Sequence, residues 1–499
     1  MIKAKKEKES HMAYLMDLLK NSSYLCLQGD IHCKVTHICY DSREVKKGSV
    51  FVCLKGSRRD GHDYAKEAVR HGAAAVIVQR NVVVEESAVV IRVRNTRETL
   101  AQMANLYYAY PSRKLGMIGI TGTKGKTSTA YMVWQLLRLA GFQVGLIGTL
   151  GLQMEDELTP FYNTTPESLL IQQSLRKMVD LGYDFCVMEV SSQGLKTHRV
   201  DGITYDIGVF TNLSPDHIGP GEHKNMEEYF ACKADLLRRS RIGIVNADDA
   251  YARRAAKQGK CSIRSYGVGA PCGYRAEDIA YETYPDCLGM SYQLSGAVHE
   301  RIELGMPGMF SVYNSLAALA VCHTVGIPMS ALGKQLRNIK VRGRIEEVRV
   351  PGGYRLMIDY AHNAVSLKSL LLTLRKYQPR RLITIFGCGG NRSKLRRIQM
   401  GEVAGTYSDY TIITSDNPRY EPPEEIISHI IEGIEPTKGA YLAITDRKEA
   451  IAYAMNYAAE GDFVVLAGKG HEDYQEINGA FYPMNERNII DEIIRKYHY

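Results

Sequence analysis

An apolar run, Met117-Ile-Gly-Ile-Thr121, stops at Gly122-Thr-Lys-Gly-Lys-Thr-Ser128 and passes into a helix-compatible stretch. The chemistry this spacing can do is phosphate binding. Gly122 and Gly125 let backbone N–H groups close on phosphate oxygens, Lys126 reaches the terminal phosphates, and the Thr127 hydroxyl sits where it can hold Mg²⁺. Thr123, Lys124 and Ser128 complete the loop. The common form of the motif has another glycine five positions before Gly125, where this chain has Ile120, so the loop is a shortened version. An ordinary strand–turn–helix connection is the plainer reading, but Gly-Lys-Thr between a strand and a helix favours a nucleotide.

Other polar groups stand at the ends of apolar runs. Asn163-Thr-Thr-Pro166 supplies amide and hydroxyl groups, Glu189-Val-Ser-Ser192 a carboxylate and the Ser191 hydroxyl, Asp216-His217 follows Thr211-Asn-Leu213, and Lys233 lies in a helix-like run. Singly, these read as caps, turns or solvated charges. Beside a phosphate loop they suggest a Mg-ATP site, since Mg²⁺ prefers oxygen ligands and bridges phosphates.

The elements that must position these residues are legible as apolar runs. Val144–Gly148, Asp184–Glu189, Asp206–Phe210 and Ile242–Val245, mostly separated by helix-length segments, predict a largely parallel sheet with its ligand at the strands' carboxyl ends. After Arg344 the pattern restarts: Tyr354–Ile358, Arg381–Phe386, Tyr410–Thr414 and Phe463–Leu466 each run into a polar loop, predicting a second doubly wound unit. Its Gly387-Cys-Gly-Gly390 segment lacks dinucleotide-binding spacing. Before the phosphate loop, Val50–Leu54 and Ala74–Val78 flank a helical stretch around Ala65 to His71, and the turn-rich Asp41-Ser42-Arg43 and Asp60-Gly-His62 loops flank a strand.

The expected fold is therefore α/β in three domains: a small N-terminal α/β domain over 1–110, a central P-loop ATPase-like parallel-sheet domain over 111–342 and a C-terminal Rossmann-like domain over 343–499. A chain of 499 residues with 45% hydrophobic and 24% charged residues can build several cores. No apolar run reaches the ~20 residues that span a bilayer, and the lysine-rich start is not followed by a signal-peptide core, so a cytoplasmic protein without membrane partner is expected. The 11 cysteines include no Cys-x-x-Cys pair, which argues against a zinc cluster or disulfide framework. The net charge of +8 suits anionic ligands, and no basic stripe with interleaved aromatics suggests nucleic acid.

Taken together, Asp41-Ser-Arg43, Gly122–Thr127, Asn163-Thr-Thr165, Phe310-Ser-Val-Tyr-Asn314, Asp359-Tyr-Ala-His362, Ser415-Asp-Asn-Pro-Arg419 and Gly468-Lys-Gly-His-Glu472 resemble the Mur ligase family over nearly the whole chain. The resemblance accounts for the short phosphate loop. It implies an N-terminal domain for the UDP end of the substrate, a central ATPase and a C-terminal domain for the incoming amino acid. A monomer is expected. It further implies that Ser42, Asn163, Thr164, Thr165, Ser191 and Arg199 hold UDP-N-acetylmuramoyl-dipeptide, and that Glu189 and His217 bind Mg²⁺. Lys233 resembles a lysine that the family carbamylates into a metal-binding carboxylate. Asn314 would face the adenine, with Arg344, Asp359 and His362 approaching ATP from the C-terminal side.

Within the family, Asp416-Asn417-Pro418-Arg419 resembles the signature of members that add meso-diaminopimelate rather than L-lysine to UDP-N-acetylmuramoyl-L-alanyl-D-glutamate, with Arg392, Gly468 and Glu472 completing the pocket. The physics agrees. The far amino-acid head of meso-diaminopimelate needs a cation for its carboxylate, which Arg419 or Arg392 can supply, and an anion for its ammonium, which Glu472 can supply. Lysine would leave a buried arginine unpaired. The implied reaction is amide formation through an acyl phosphate, with Lys126 and Mg²⁺ stabilising the charge that develops.

Several positions depart from the family pattern: Gln193, Asn391, Asn363-Ala-Val365 and a longer loop over 216–223. The competing readings are a lysine-adding ligase, a folylpolyglutamate-type ligase, which would not need the N-terminal domain or the Asp-Asn-Pro-Arg loop, and an idle nucleotide-binding paralogue, against which Lys126 and Lys233 argue.

Overall fold

The computed structural model describes residues 13–56, 59–216, 218–219 and 222–496. Contacts divide the chain into two units, one reaching to Gly273 and taking in Ala320–Gly326, the other covering Tyr274–Leu319 and everything from Ile327 onward.

The first unit begins with a five-stranded sheet in the order Tyr24–Gln28, Val89–Val93, Ala73–Val78, Ser49–Val52, His37–Cys39, parallel except for its first pair. Its strands are runs of valine, isoleucine and alanine that can be buried on both faces, as parallel strands require. Leu15, Leu18, Leu100 and Met103 pack on one face, and Ala65, Ala68 and Val69 on the other. Asn95 starts the helix Thr96–Tyr107 by accepting from the N–H groups of Arg97 and Glu98, a cap that contributes about 1 kcal/mol.

The larger sheet of this unit runs Val144–Gly148, Phe185–Glu189, Gly116–Thr121, Tyr205–Phe210, Ser240–Asn246, Ser262–Gly267, all parallel, and Gly151–Met154 and Glu157–Thr159 extend one edge antiparallel. Such an order carries the carboxyl ends of the parallel strands to one edge, whatever their place in the sequence. Gly119 lets the central strand lie against Tyr205, since a Cβ there would come within 2.8 Å of that ring.

The second unit contains an antiparallel meander, Tyr274–Thr283, Leu288–Gly296, Glu300–Leu304. Its main sheet runs Glu346–Val348, Arg355–Asp359, Phe463–Ala467, Leu382–Phe386, Tyr410–Ile413, Tyr441–Ala443, parallel after the first pair. Residues of helices Ala364–Arg375, Lys394–Tyr407 and Pro423–Ile434 fill one core, and those of Arg447–Tyr457 and Glu486–Lys496 another. The expected α/β architecture and strand positions are present. Asn363, one of the departures from the family pattern, caps the helix Ala364–Arg375 by accepting from Ser366 N–H at 2.9 Å. Among the described residues no helix is long and apolar enough to cross a membrane.

Candidate active site

The phosphate loop joins the strand Gly116–Thr121 to the helix Lys126–Leu139 through Gly125, whose φ of 84° an L side chain rarely adopts. A Cβ at Gly122 would lie 1.9 Å from Thr211 Oγ1, so only glycine passes there. Asn212 braces the loop: its Oδ1 accepts from Lys124 N–H and its carbonyl from Thr123 N–H, both at 2.9 Å. Lys126 Nζ donates to Gly122 O at 2.8 Å and to Thr123 O at 3.1 Å.

Lys233, on the helix Met226–Arg238, is only 1% exposed and donates from Nζ to the same Gly122 O at 2.8 Å. Its Nζ lies 4.9 Å from the centre of the Tyr229 ring. Burial, and then the charge of Lys126, hold its amine well below the usual lysine range. Such burial favours the neutral amine, the nucleophilic form of a lysine.

Glu189 ends its strand with no exposed surface, and its carboxylate lies between Thr127 of the phosphate-loop helix and Thr149 at the end of the strand Val144–Gly148. Oε2 accepts from Thr127 Oγ1 at 2.8 Å and Thr149 Oγ1 at 3.1 Å; Oε1 accepts from Thr149 N–H at 2.8 Å. Thr149 Oγ1 in turn meets Thr164 Oγ1 at 3.1 Å. A carboxylate and two hydroxyls beside a phosphate loop are the hard oxygen donors that suit Mg²⁺. His217 lies outside the described residues; its neighbour Asp216 carries an oxygen 3.6 Å from Lys124 Nζ.

A second cluster follows along the same edge. Thr165 Oγ1 donates to Glu189 O and accepts from Ser191 N–H, both at 2.9 Å, while Ser191 caps the next helix through Gly194 N–H at 3.0 Å. Arg199 Nη1 donates to Thr165 O at 2.9 Å, and its Nε is 3.1 Å from Glu167 Oε1. Arg97, from the N-terminal sheet's last helix, closes on both oxygens of Glu167 at 2.8 Å. One sheltered carboxylate thus ties the two sheets of the unit together. Tyr40 is close enough to Glu167 to feel its charge, and burial above all pushes its phenol up to about 12. Ser42 opens the 3₁₀ turn Ser42–Glu44 and Asn163 stands on a loop, both outside these contacts; Asp41 caps that turn by accepting from Arg43 N–H and is held below the usual carboxylate range by Arg43.

In the second unit, Asp359 ends its strand buried, accepting from Ile345 N–H and Ala361 N–H at 2.8 Å each. Burial raises its carboxyl, partly offset by Arg344. The Arg344 guanidinium lies 4.9 Å from the Tyr360 ring centre, and that ring also packs on His362 and His471 at 4.6 and 4.7 Å. Asn314 is buried on the helix Met309–Val325.

The Ser415–Tyr420 and Gly468–Asp473 loops meet beyond the carboxyl ends of Tyr410–Ile413 and Phe463–Ala467, the two strands that flank Leu382–Phe386. Asn417 Nδ2 donates to Glu472 Oε2 at 2.9 Å, and the fully buried Lys469 donates to Asn417 Oδ1 and Glu472 Oε2 at 3.2 Å each. Gly468, at φ 110°, brings its backbone against Asp416: a Cβ there would be 3.1 Å from Asp416 Oδ2. Pro418 O presses on Gly390, where a Cβ would fall 1.8 Å from it. Arg419 adopts φ 56°, donates from Nε to Glu476 Oε2 at 2.9 Å and from Nη1 to Gly390 O at 2.7 Å. Arg392 is exposed on the loop before the helix Lys394–Tyr407.

Sequence reading missed Thr149, Glu167, Asn212, Tyr229, Lys469 and Glu476. Thr149 carried a weak signal, following a strand that ends in Gly148; Glu476 carried none, since it comes from the hairpin strand Tyr474–Ile477.

Models of known families match in three consecutive stretches: the Mur ligase family, catalytic domain, over residues 34–108, the Mur ligase middle domain over 120–322, and the Mur ligase, glutamate ligase domain, over 343–470. The UDP-N-acetylmuramoyl-L-alanyl-D-glutamate–2,6-diaminopimelate ligase of Caldanaerobacter subterraneus is 40% identical over 486 residues, covering 96% of this chain and 98% of that one. Ligase 2 of the same name from Clostridium acetobutylicum is also 40% identical, over 96% of this chain and 99% of its own. A solved structure of a ligase of that name superposes with a TM-score of 0.69 at 28% identity, covering 98% of this chain and all (100%) of that one. Mycobacterium tuberculosis folylpolyglutamate synthase, at 18% identity and a TM-score of 0.60 over 74% of this chain and 92% of its own, shares the fold. Near full-length identity of this order, with the phosphate loop, Glu189 and Lys233 drawn into one cluster, leaves one conclusion: the chain belongs to the Mur ligase family.

Proposed function

We propose that this protein is an ATP-dependent ligase that joins meso-diaminopimelate to the free carboxylate of UDP-N-acetylmuramoyl-L-alanyl-D-glutamate. The observation that carries the reading is 40% identity over 96% of the chain to a ligase named for that reaction. The sheltered Arg419 of the Asp-Asn-Pro-Arg loop supports the choice of acceptor. We take the three domains as 1–110, 111–342 and 343–499, in keeping with the spans of the family matches.

Lys126 exchanges the Gly122 and Thr123 carbonyls for terminal phosphate oxygens, a gain because charge-assisted bonds are the stronger. Thr127 and Glu189, with Lys233 once carbamylated and His217, would hold Mg²⁺, which when bound neutralises phosphate charge. The low-lying Lys233 amine is suited to attack CO₂, losing a proton as the N–C bond forms. Ser191 and Arg199 hold the UDP-dipeptide together with Ser42, Asn163 and Thr164, while Thr165, whose hydroxyl is bonded to Glu189 and Ser191, shapes that pocket from behind. Asn314 faces the adenine, and Arg344, Asp359 and His362 serve the nucleotide.

The terminal phosphoryl group passes to the substrate carboxylate, giving an acyl phosphate and ADP. The diaminopimelate nitrogen then attacks the carbonyl carbon, phosphate leaves with the C–O electron pair, and the nitrogen gives up a proton. Asp416, Asn417, Pro418, Arg419, Gly468, Glu472 and Arg392 orient the acceptor, so that its amine meets the acyl carbon before water does.

Phosphate release by purified protein with Mg-ATP and the UDP-dipeptide tests this. Turnover with meso-diaminopimelate well above that with L-lysine or glutamate is expected. Preference for lysine would overturn the acceptor assignment, and no turnover with any acceptor would overturn the ligase reading.

A further inference from the structure

The hairpin formed by Tyr474–Ile477 and Ala480–Pro483 is docked on the Asp-Asn-Pro-Arg loop by backbone bonds. Arg419 N–H donates to Glu476 O at 2.9 Å, Asn478 N–H donates to Arg419 O at 2.6 Å, and Glu476 N–H donates to Asn417 Oδ1 at 3.0 Å. These bonds hold Arg419 in a left-handed conformation that an arginine otherwise disfavours. They also fix the Glu476 carboxylate 2.9 Å from Arg419 Nε.

Nε is therefore held by Glu476 and Nη1 by Gly390 O, while Nη2 has no acceptor among the described residues. Two fixed points define the plane of a guanidinium, so the long side chain keeps little of its rotamer freedom. Side-chain exposures of 24% and 21% put the pair in a partly sheltered setting, where Glu476 also keeps the arginine's charge compensated before a ligand arrives. Gly389 and Gly390 allow the approach: a Cβ on Gly389 would come within 3.1 Å of Arg419 Nη1.

We propose that Glu476 is a positioning residue that aims Arg419 Nη2 at the far carboxylate of the acceptor, and that preference for a dicarboxylic acceptor over lysine depends on it. This rests on the ligase reading given above. Lysine has no far carboxylate and gains nothing from an aimed arginine.

Steady-state kinetics of wild type, E476A, E476Q, R419A and the double variant E476A/R419A test it, with meso-diaminopimelate and L-lysine as acceptors. E476A is expected to raise KM for meso-diaminopimelate by about tenfold or more, with kcat and the KM values for ATP and the UDP-dipeptide within about twofold of wild type. E476Q is expected to fall between, because its amide oxygen still accepts from Nε. In the R419A background, removing Glu476 is expected to add nothing further. An unchanged diaminopimelate KM in E476A, an equal rise for all three substrates, or additive effects in the double variant would each overturn the role of Glu476 alone. Preference of the wild-type enzyme for lysine would overturn the acceptor reading and this role with it.

Discussion

Lys126 and Lys233, 107 positions apart, donate to one carbonyl oxygen, that of Gly122, each at 2.8 Å. A carbonyl oxygen has two lone pairs and can accept from both, and burial beside a second cation holds the Lys233 amine well below the usual lysine range. The loop is thus braced by the same two residues that the proposed reaction needs.

Replacing Lys126 by methionine is expected to lower kcat by about 10²–10³ with the fold intact, since it removes a cation from the developing phosphate charge. K233A is expected to have a similar effect. For wild type, depleting CO₂ and bicarbonate is expected to reduce phosphate release reversibly, and a ¹³C carbamate signal should vanish in K233A. A K233A enzyme with unaltered turnover would remove Lys233 from the mechanism.

Gly148 has no room for a methyl group, because a Cβ there would fall 2.3 Å from Glu189 Oε1. G148A should therefore displace the carboxylate from Thr127 and Thr149. We expect kcat to drop by about 10²-fold, the size of effect that an ångström of misplacement produces, while circular dichroism stays native.

The Arg97–Glu167–Arg199 group joins two sheets through one carboxylate. E167A leaves two sheltered guanidinium groups uncompensated, and about 2–4 kcal/mol of stability should be lost in urea unfolding, somewhat under the fully buried limit. KM for the UDP-dipeptide should rise as well, because Arg199 loses its anchor.

His471 is depressed from 6.5 to about 3, first by burial and then by Arg344, Arg342, His362 and Lys469. Between those values the unfolded chain binds the proton and the native one does not, so stability rises with pH across that window and is flat above it. The slope from this group is at most about 1.4 kcal/mol per pH unit. H471N is expected to flatten the stability profile between pH 3 and 6.5 relative to wild type; an unchanged profile would show that the imidazole is not shielded.

The phosphate loop and the parallel strands were readable in the chain because each is a local matter of consecutive amides and apolar runs, whereas the caps at Asn95 and Asn363 came to light only in the structure. The Asp-Asn-Pro-Arg segment was readable as a motif because it too is local. What Arg419 does was not. Its partner Glu476 is 57 positions away on a short hairpin, Thr149 reaches Glu189 across 40, Arg97 reaches Glu167 across 70, and Lys233 reaches Gly122 across 111. By itself the sequence determined which residues could do the chemistry and that strands would carry them. The tertiary structure alone decided which of them meet, because a parallel sheet gathers carboxyl ends by strand order and register, and burial then sets the charge of what is gathered there.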